Sequence, residues 1–246
     1  MMPYARMAEY FGAIFPCTAD HQACYDMELP DAAGRRVLDV GFGSGAHLEY
    51  LALRGADIYG LEAEAELVRA AQQRWPALAS HFKRGGMDAV SSAFPNVDFD
   101  LTLLVGNTLA HARNLGQASR TLEELAKATA LGGRAVVSVV NYDRILEQGV
   151  TELPAIEGET ANGKRFAFYR SYDLAGAPER VVFSTRLETP EGVVEGRRDL
   201  FPILRAQLVD VATAAFNDVS VFGGYRHEAW SLDAFSTVVI GAEPRL

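Results

Sequence analysis

Three glycines, Gly41, Gly43 and Gly45, stand in the run GFGSG (41–45), directly after the apolar stretch VLDV (37–40). That spacing suits a sharp turn between a strand and a helix, where glycine takes positive φ and lets backbone approach a ligand closely. The helix that follows offers free N–H groups at its start. Glu62 lies about 20 residues further on, where a carboxylate can accept both hydroxyls of a ribose. Two cofactor chemistries share these parts. Gly41, Gly43 and Ala46 satisfy the G-x-G-x-x-G/A dinucleotide pattern, which a nicotinamide-dependent oxidoreductase would use. The five residues Gly41, Phe42, Gly43, Ser44 and Gly45 serve an adenosyl cofactor equally well. Asp39 weighs toward the second. Its charge is repulsive beside a pyrophosphate and attractive beside the ammonium and sulfonium of S-adenosylmethionine, and it can also brace the turn by accepting backbone N–H bonds.

Further polar groups recur where strands are expected to end. Asn107 follows the apolar run FDLTLLV (99–105), and His111, four residues later, shares its face if a helical turn begins there. An imidazole beside a crevice is a candidate general base. Asn141 and Tyr142 follow RAVVSVV (134–140) at the same edge, and Asp143 is expected to cap a helix. Tyr4, Tyr10 and Phe11 lie in an aromatic N-terminal segment that can close over a sulfonium by cation–π attraction. Tyr169, Arg197, Arg198 and Tyr225 are the remaining polar groups suited to recognising an acceptor, the paired arginines fitting a carboxylate or phosphonate. Cys17, His21 and Cys24 would share one helix face, but three ligands without a fourth make a poor zinc site, and two reduced thiols are expected instead. No metal is expected.

These residues need a scaffold that brings strand ends together. From Arg36 the chain alternates strand and helix: a strand to Val40, a helix from about Ala46 to Arg54 stopped by Gly55, a strand over 56–62 and a helix over 63–75 closed before Pro76. A third strand is expected in HFKRGG, a fourth at 99–105, a helix ending at Gly132–Gly133, and a fifth strand at 134–140. Such alternation builds a parallel sheet with helices on both faces. Residues 1–34 read as a helical lid, 35–150 as the cofactor-binding core, and 151–200 as a small antiparallel cap with hairpins around Pro190-Glu191-Gly192. Residues 201–246 complete the core with a helix opened by Pro202 and two antiparallel strands. The fold expected is therefore α/β, a Rossmann-like, mostly parallel sheet of seven strands with a lid and a β cap.

The chain has 246 residues, 49% of them hydrophobic and 22% charged, which suits one α/β domain with embellishments. A net charge of −9 argues against a nucleic-acid partner. No apolar run reaches a membrane span, and the start lacks the order of a secretory signal, so a cytoplasmic protein is expected. Exposed cap strands give two copies an edge through which to pair as a homodimer.

VLDVGFGSG, GLEAEAELV, FDLTLLVGNTLAH and LGGRAVVSVVNYDRIL together resemble a class I S-adenosylmethionine-dependent methyltransferase across nearly the whole chain. GNTLAH and NYDRIL are similar to strings of the glycine N-methyltransferase branch, and YARMAEYFGAIFP and FGGYRHEAW to small bacterial methyltransferases of that branch. The resemblance implies that Gly41, Gly43 and Gly45 cradle the methionine part of the cofactor, with Asp39 near its amine. It implies Glu62 on the ribose diol, Ala63 beside the adenine, and Met87 against the base. The acid usual just before that last position is Gly86 here, with Asp88 one place beyond, so either Met87 or Asp88 reaches the base. It further implies that Asn141 helps hold an acceptor amine. The expected reaction is methyl transfer to a small-molecule amine or amino-acid-like acceptor, leaving S-adenosylhomocysteine. An O-methyl acceptor is the near rival, and a cofactor-binding protein without turnover is a third reading.

Overall fold

The apolar run ending at Val40 forms β1 (Arg36–Val40), and the strands on either side of it run parallel to it. The computed structural model that shows this describes residues 4–245, with side chains from Glu9 onward. Two helices, α1 (Tyr4–Ile14) and α2 (Ala19–Glu28), precede β1. After it come α3 (Ala46–Leu53), β2 (Asp57–Glu62), α4 (Ala65–Arg74), β3 (Phe82–Arg84), the short α5 (Val90–Ala93), β4 (Phe99–Leu104), α6 (Leu115–Ala128), β5 (Thr129–Val140) and α7 (Tyr142–Glu147). Four antiparallel strands follow, β6 (Glu152–Glu159), β7 (Arg165–Asp173), β8 (Val181–Thr189) and β9 (Gly192–Leu200). The chain then returns through α8 (Arg205–Ala215), β10 (Phe216–Phe222) and β11 (Ser236–Pro244).

The main sheet has seven strands in the order β10-β11-β5-β4-β1-β2-β3, and the cap sheet has four in the order β6-β7-β8-β9. β3, β2, β1, β4 and β5 are parallel, whereas β11 runs antiparallel to both β5 and β10. The central strands are apolar on both faces because both are covered. One face packs under α6 and α8 through Leu122, Leu125, Leu208 and Ala212, and the other under α2, α3 and α4 through Tyr25, Leu48, Leu51 and Val68. Among the described residues no helix is long and apolar enough to cross a membrane.

Two boundaries differ from expectation. Helix α6 ends at Ala128 and passes directly into β5, so Gly132 and Gly133 lie inside the strand as an irregularity. Gly132 takes φ +79°, and a Cβ on Gly133 would lie 2.9 Å from the Phe99 carbonyl, so the close backbone approach explains the glycines. Helix α8 starts at Arg205, after Pro202. Its first turn is closed by Gln207 Oε1, which accepts the Leu204 N–H at 3.0 Å, and by Asp143 Oδ2, which accepts the Arg205 N–H at 2.8 Å. Asp143 therefore caps α8, while its own helix is capped by Asn141.

The lid is fastened at both ends. Tyr10 packs edge-on against Phe166 of the cap, and Glu9 pairs with Lys164 at 3.0 Å. Asp20 of α2 meets Arg226 in the loop between β10 and β11 at 2.5 Å. These contacts roof the carboxyl ends of the parallel strands.

Candidate functional site

The turn after β1 is built as its glycines require. Gly41, Gly43 and Gly45 have φ of +78°, +56° and +77°, and Gly45 is the N-cap of α3. A Cβ on Gly41 would lie 2.5 Å from Thr108, and one on Gly43 2.8 Å from the Phe11 ring, so side chains are excluded by space as well as by φ. Glu62, at the end of β2, ties this turn to the next one. Its Oε2 accepts the Gly43 N–H at 3.1 Å, and its Oε1 accepts those of Ala63 and Glu64 at 2.8 and 3.1 Å. Burial raises its pKa, and the three N–H groups oppose that rise.

Asp39 behaves differently from the brace expected. It is 1% exposed, and neither carboxylate oxygen has a hydrogen-bond partner. Burial, with the nearby charge of Glu62, pushes its pKa up to about 8. Glu62, and not Asp39, accepts a backbone N–H of the glycine turn. Along β1, Asp39 faces the same way as Val37, toward α2 and Tyr25. An orphaned carboxyl there calls for a cationic partner, since an unpaired buried polar group is costly.

The carboxyl ends of the parallel strands, the lid and the inner face of the cap enclose one cavity of about 810 Å³, within the range of about 300–1,000 Å³ typical of small-molecule sites. Gly41, Phe42, Gly43, Glu62, Ala63 and Met87 line it, as do Asn107, His111 and Tyr225. Gly45 stands at the start of α3, whose Ala46 and His47 face the space. Asp39 lies behind the lining, within electrostatic reach of Glu62.

Asn107 takes φ +71° and bridges two strand ends. Its Nδ2 donates to Tyr142 Oη at 3.0 Å, and its Oδ1 accepts the Val140 N–H at 3.1 Å. His111 ends a 3-10 turn over Thr108–His111 and exposes its ring toward the cavity. Surrounding protein and the charge of Arg198 lower its pKa, so the ring is neutral near pH 7 and can accept a proton. Tyr225 Oη and Ser138 Oγ lie 2.5 Å apart, and the Tyr225 ring lies 4.1 Å from that of His21.

Other expected residues lie elsewhere. Asn141 is 0% exposed, and its Nδ2 donates to the carbonyls of Ser231, Leu232 and Ala234 at 3.0–3.2 Å. It fastens the loop before β11 and does not line the cavity. Tyr142 is also fully buried, and burial holds its pKa well above the ordinary value, so it supports Asn107 from behind. Tyr10 turns from the cavity to the cap, donating to Glu191 Oε2 at 2.6 Å, and Phe11 takes the place facing Gly43. Asp88 accepts from Gln117 Nε2 at 3.0 Å, and Gln117 and Met87 line the space instead. Tyr4 heads α1, and its side chain lies outside the described residues. Cys17 precedes the N-cap Thr18 of α2, so Cys17, His21 and Cys24 do not share a helix face. Burial pushes both thiols up to about 12, away from a ligating thiolate. Among the described residues no cluster suited to a metal is found.

The cap explains the remaining differences. Strand side chains alternate between faces. Phe168, Arg170, Tyr172, Phe183, Thr185, Arg198 and Leu200 line the cavity, and Tyr169 and Arg197 line a separate hollow that Arg170 and Thr185 also border. Tyr169 is 41% exposed. The period of two puts Arg197 and Arg198 on opposite faces and Arg170 on the same face as Phe168 and Tyr172, and the seating of the cap on the core makes that face the inner one. His47, whose pKa burial and His21 lower to about 3, accompanies Tyr25 at 3.0 Å and carried no sequence signal.

Residues 37–133 match the family model described as a methyltransferase domain. Over 201 residues the chain is 29% identical to the dTDP-4-amino-2,3,4,6-tetradeoxy-D-glucose N,N-dimethyltransferase of Saccharopolyspora spinosa, covering 80% of this chain and 74% of that protein. It is 30% identical over 149 residues to the ribosomal RNA small subunit methyltransferase C of Chromohalobacter salexigens, a match spanning 58% of this chain and 42% of that protein. Its fold is similar to that of the S-adenosylmethionine-bound amino pentose methyltransferase CalS10 of Micromonospora echinaspora, with TM-score 0.66, 21% identity, and coverage of 91% and 89% of the two chains.

Proposed function

We propose that this chain, whose residues 37–133 match a methyltransferase domain, is a class I S-adenosylmethionine-dependent methyltransferase that methylates an amino group of a small polar acceptor. The family decides between the two cofactor readings of the glycine turn in favour of S-adenosylmethionine. The residues fit that group on two counts: the orphaned carboxyl of Asp39 suits its cationic end, and Gly41 and Gly43, both at positive φ, bring backbone to the cavity wall. Gly41, Gly43 and Gly45 would hold the methionine part, Glu62 the ribose through lone pairs left on its oxygens, and Ala63 and Met87 the adenine. When bound, the cofactor supplies a methyl on a positively charged sulfur, open to displacement by a nucleophile in line with the leaving sulfur.

The chain's own task is alignment, exclusion of water and proton control. The acceptor would enter beneath the cap, opposite the glycine turn. Asn107 is held at both ends of its amide by β5 and Tyr142, so it presents a fixed edge to the cavity. His111, neutral at pH 7, accepts a hydrogen bond from an amine and takes up the proton that methylation releases. The observation that carries this reading is His111 facing the cavity with its pKa lowered. The positive charge of Arg198, which adds to burial in lowering the His111 pKa, also favours the free amine over its ammonium form. The long match to an amino-sugar N,N-dimethyltransferase supports nitrogen over oxygen. The shorter match to a ribosomal RNA enzyme carries less weight beside a net charge of −9.

The test is methyl transfer from isotopically labelled S-adenosylmethionine to a panel of amino sugars, amino acids and matched hydroxyl compounds, read by mass spectrometry. N-methyl products are expected, and H111Q should lower kcat by about 10–100-fold where His111 is neutral, the difference shrinking as pH falls through its pKa. Turnover confined to hydroxyl acceptors overturns the amine reading. An H111Q profile unchanged from pH 6 to 9 removes the base.

A further inference from the structure

The lysines and arginines lining the cavity among the described residues reduce to Arg170 and Arg198, and both stand on cap strands. At the lid end of the cavity the wall instead carries two imidazoles, His21 and His47. His21 lies in the first turn of α2, just after the link that leads from α1, and His47 lies in the first turn of α3, next to the glycine turn. Their rings meet edge-on with centroids 4.8 Å apart.

The hydrogen bonds of these rings fix where their protons sit. His21 Nδ1 accepts the backbone N–H of Thr18 at 3.1 Å, and a backbone N–H can only donate. Tyr25 Oη lies 3.0 Å from His47 Nδ1. The Tyr25 side chain is fully buried, burial keeps its hydroxyl protonated, and neither oxygen of the nearby Asp39 carboxyl has a hydrogen-bond partner, so Tyr25 donates to His47. Burial lowers the pKa of both imidazoles, that of His47 to about 3, and both are neutral at pH 7. In a neutral ring whose Nδ1 accepts, Nε2 carries the proton. Two Nε2–H donors are therefore set, and neither meets an acceptor among the described residues. With Nδ1 engaged, neither ring has a lone pair left to act as a base.

The acidic groups of this corner are occupied. Asp20 pairs with Arg226, and Glu228 Oε2 accepts the Arg226 N–H at 2.9 Å. No side chain caps α3, so its first N–H groups add to the donors. Tyr25, bonded to His47 on one side, is close to Asp39 on the other. A carboxyl that suits a cation and two donors that suit an anion thus flank one tyrosine, as the ammonium and carboxylate of an α-amino acid require. Reading His21 only as a helix cap and His47 only as a partner of Tyr25 accounts for Nδ1 of each ring and leaves both Nε2–H groups without a use.

We propose that His21 and His47 together donate to the carboxylate at the amino-acid end of the cofactor, so that this carboxylate ties the base of the lid to the glycine turn. This rests on the methyltransferase reading and adds to it a fastening of the lid that depends on the ligand.

The experiment compares S-adenosylhomocysteine with its decarboxylated analogue, whose amino-acid end is a propylamine, by calorimetry. The wild type should bind the first about tenfold or more tightly than the second. H21N and H47N keep an acceptor where Nδ1 stands and lose the distant N–H, so each should weaken S-adenosylhomocysteine, leave the analogue nearly unchanged and shrink the preference. Retained affinity for the analogue shows that the variants fold. H21Q and H47Q, whose amide reaches the Nε2 position, should restore part of the preference. Histidines with a purely structural role would weaken both ligands equally. That result, or a wild type without preference, overturns the proposal. Hydrogen exchange in the link at residues 15–18 and the first turn of α2 reads the lid without any substitution. S-adenosylhomocysteine should slow it more than the analogue does, and equal protection overturns the tie. If neither ligand binds the wild type, the methyltransferase reading itself falls, and the proposal with it.

Discussion

The two walls of the cavity are assembled from different parts. On the core wall, backbone does most of the work: Glu62 is held by three N–H groups, the glycine turn takes three positive φ values, and Asn107 bridges β4 and β5. Those positions follow from where parallel strands end, and side chains mostly brace backbone. On the cap wall, side chains alternate along antiparallel strands and the seating of the cap on the core sets which face is inward, and Arg170 keeps a donor unused. The core wall therefore presents a shape fixed by the fold, suited to one ligand. The cap wall presents replaceable side chains, suited to setting which acceptor is taken.

Substitutions separate the two walls. The largest effect is expected from Glu62→Ala, which removes the acceptor of three N–H groups and the group proposed for the ribose. S-adenosylhomocysteine affinity should drop by about 100-fold, or roughly 3 kcal/mol, while R198Q leaves it unchanged. Equal losses in both variants would show that the walls do not divide the work. Calorimetry decides between these outcomes.

Asp39 gives a smaller, pH-dependent signature. Its pKa rises on folding from the ordinary 3.8 to about 8, so the folded state binds more protons between those values. The stability of the protein without cofactor should therefore fall as pH rises through that window, by up to about 1.4 kcal/mol per unit, and D39N should flatten the dependence. Urea melts at pH 5, 6, 7 and 8 test this. Parallel slopes for the two proteins would mean that the buried carboxyl is not the titrating group. A cofactor ammonium placed beside it should stabilise its charged form, so binding near pH 7 is expected to release a proton.

The smallest effect belongs to R197Q. Its side chain lies on the outer cap face, so KM and kcat should stay within about twofold of wild type, close to the scatter of ordinary surface changes. A larger loss would place the acceptor on the wrong face of the cap in this account.

How much of the site the sequence carried follows the same division. Gly41, Gly43, Glu62, Asn107 and His111 were identifiable because glycine spacing and strand-end position are local properties of the chain. Asn141 and Tyr142 sit at an equally good strand end, yet both point into the protein, Asn141 to three carbonyls of the 231–235 segment some 90 residues away. No local pattern announces that use. Tyr10 and Phe11 are adjacent in one helix, and only the cap's position sends the first to Glu191 and the second to Gly43. The antiparallel cap was legible as hairpins, while its inner and outer faces were not distinguished until its register against the core was known.

The sequence by itself determined the alternation of strands and helices, the turn that only glycine can make, and the antiparallel texture of the cap. These depend on φ/ψ preference and on the period of apolar residues, which neighbours along the chain settle. The tertiary structure alone decided which arginine of the pair faces the cavity, that Arg170 joins Arg198 there, and that Asp39 is buried without a partner. Those outcomes depend on burial and on contacts between segments far apart in the chain, where desolvation and the nearness of charge are set by the packed fold.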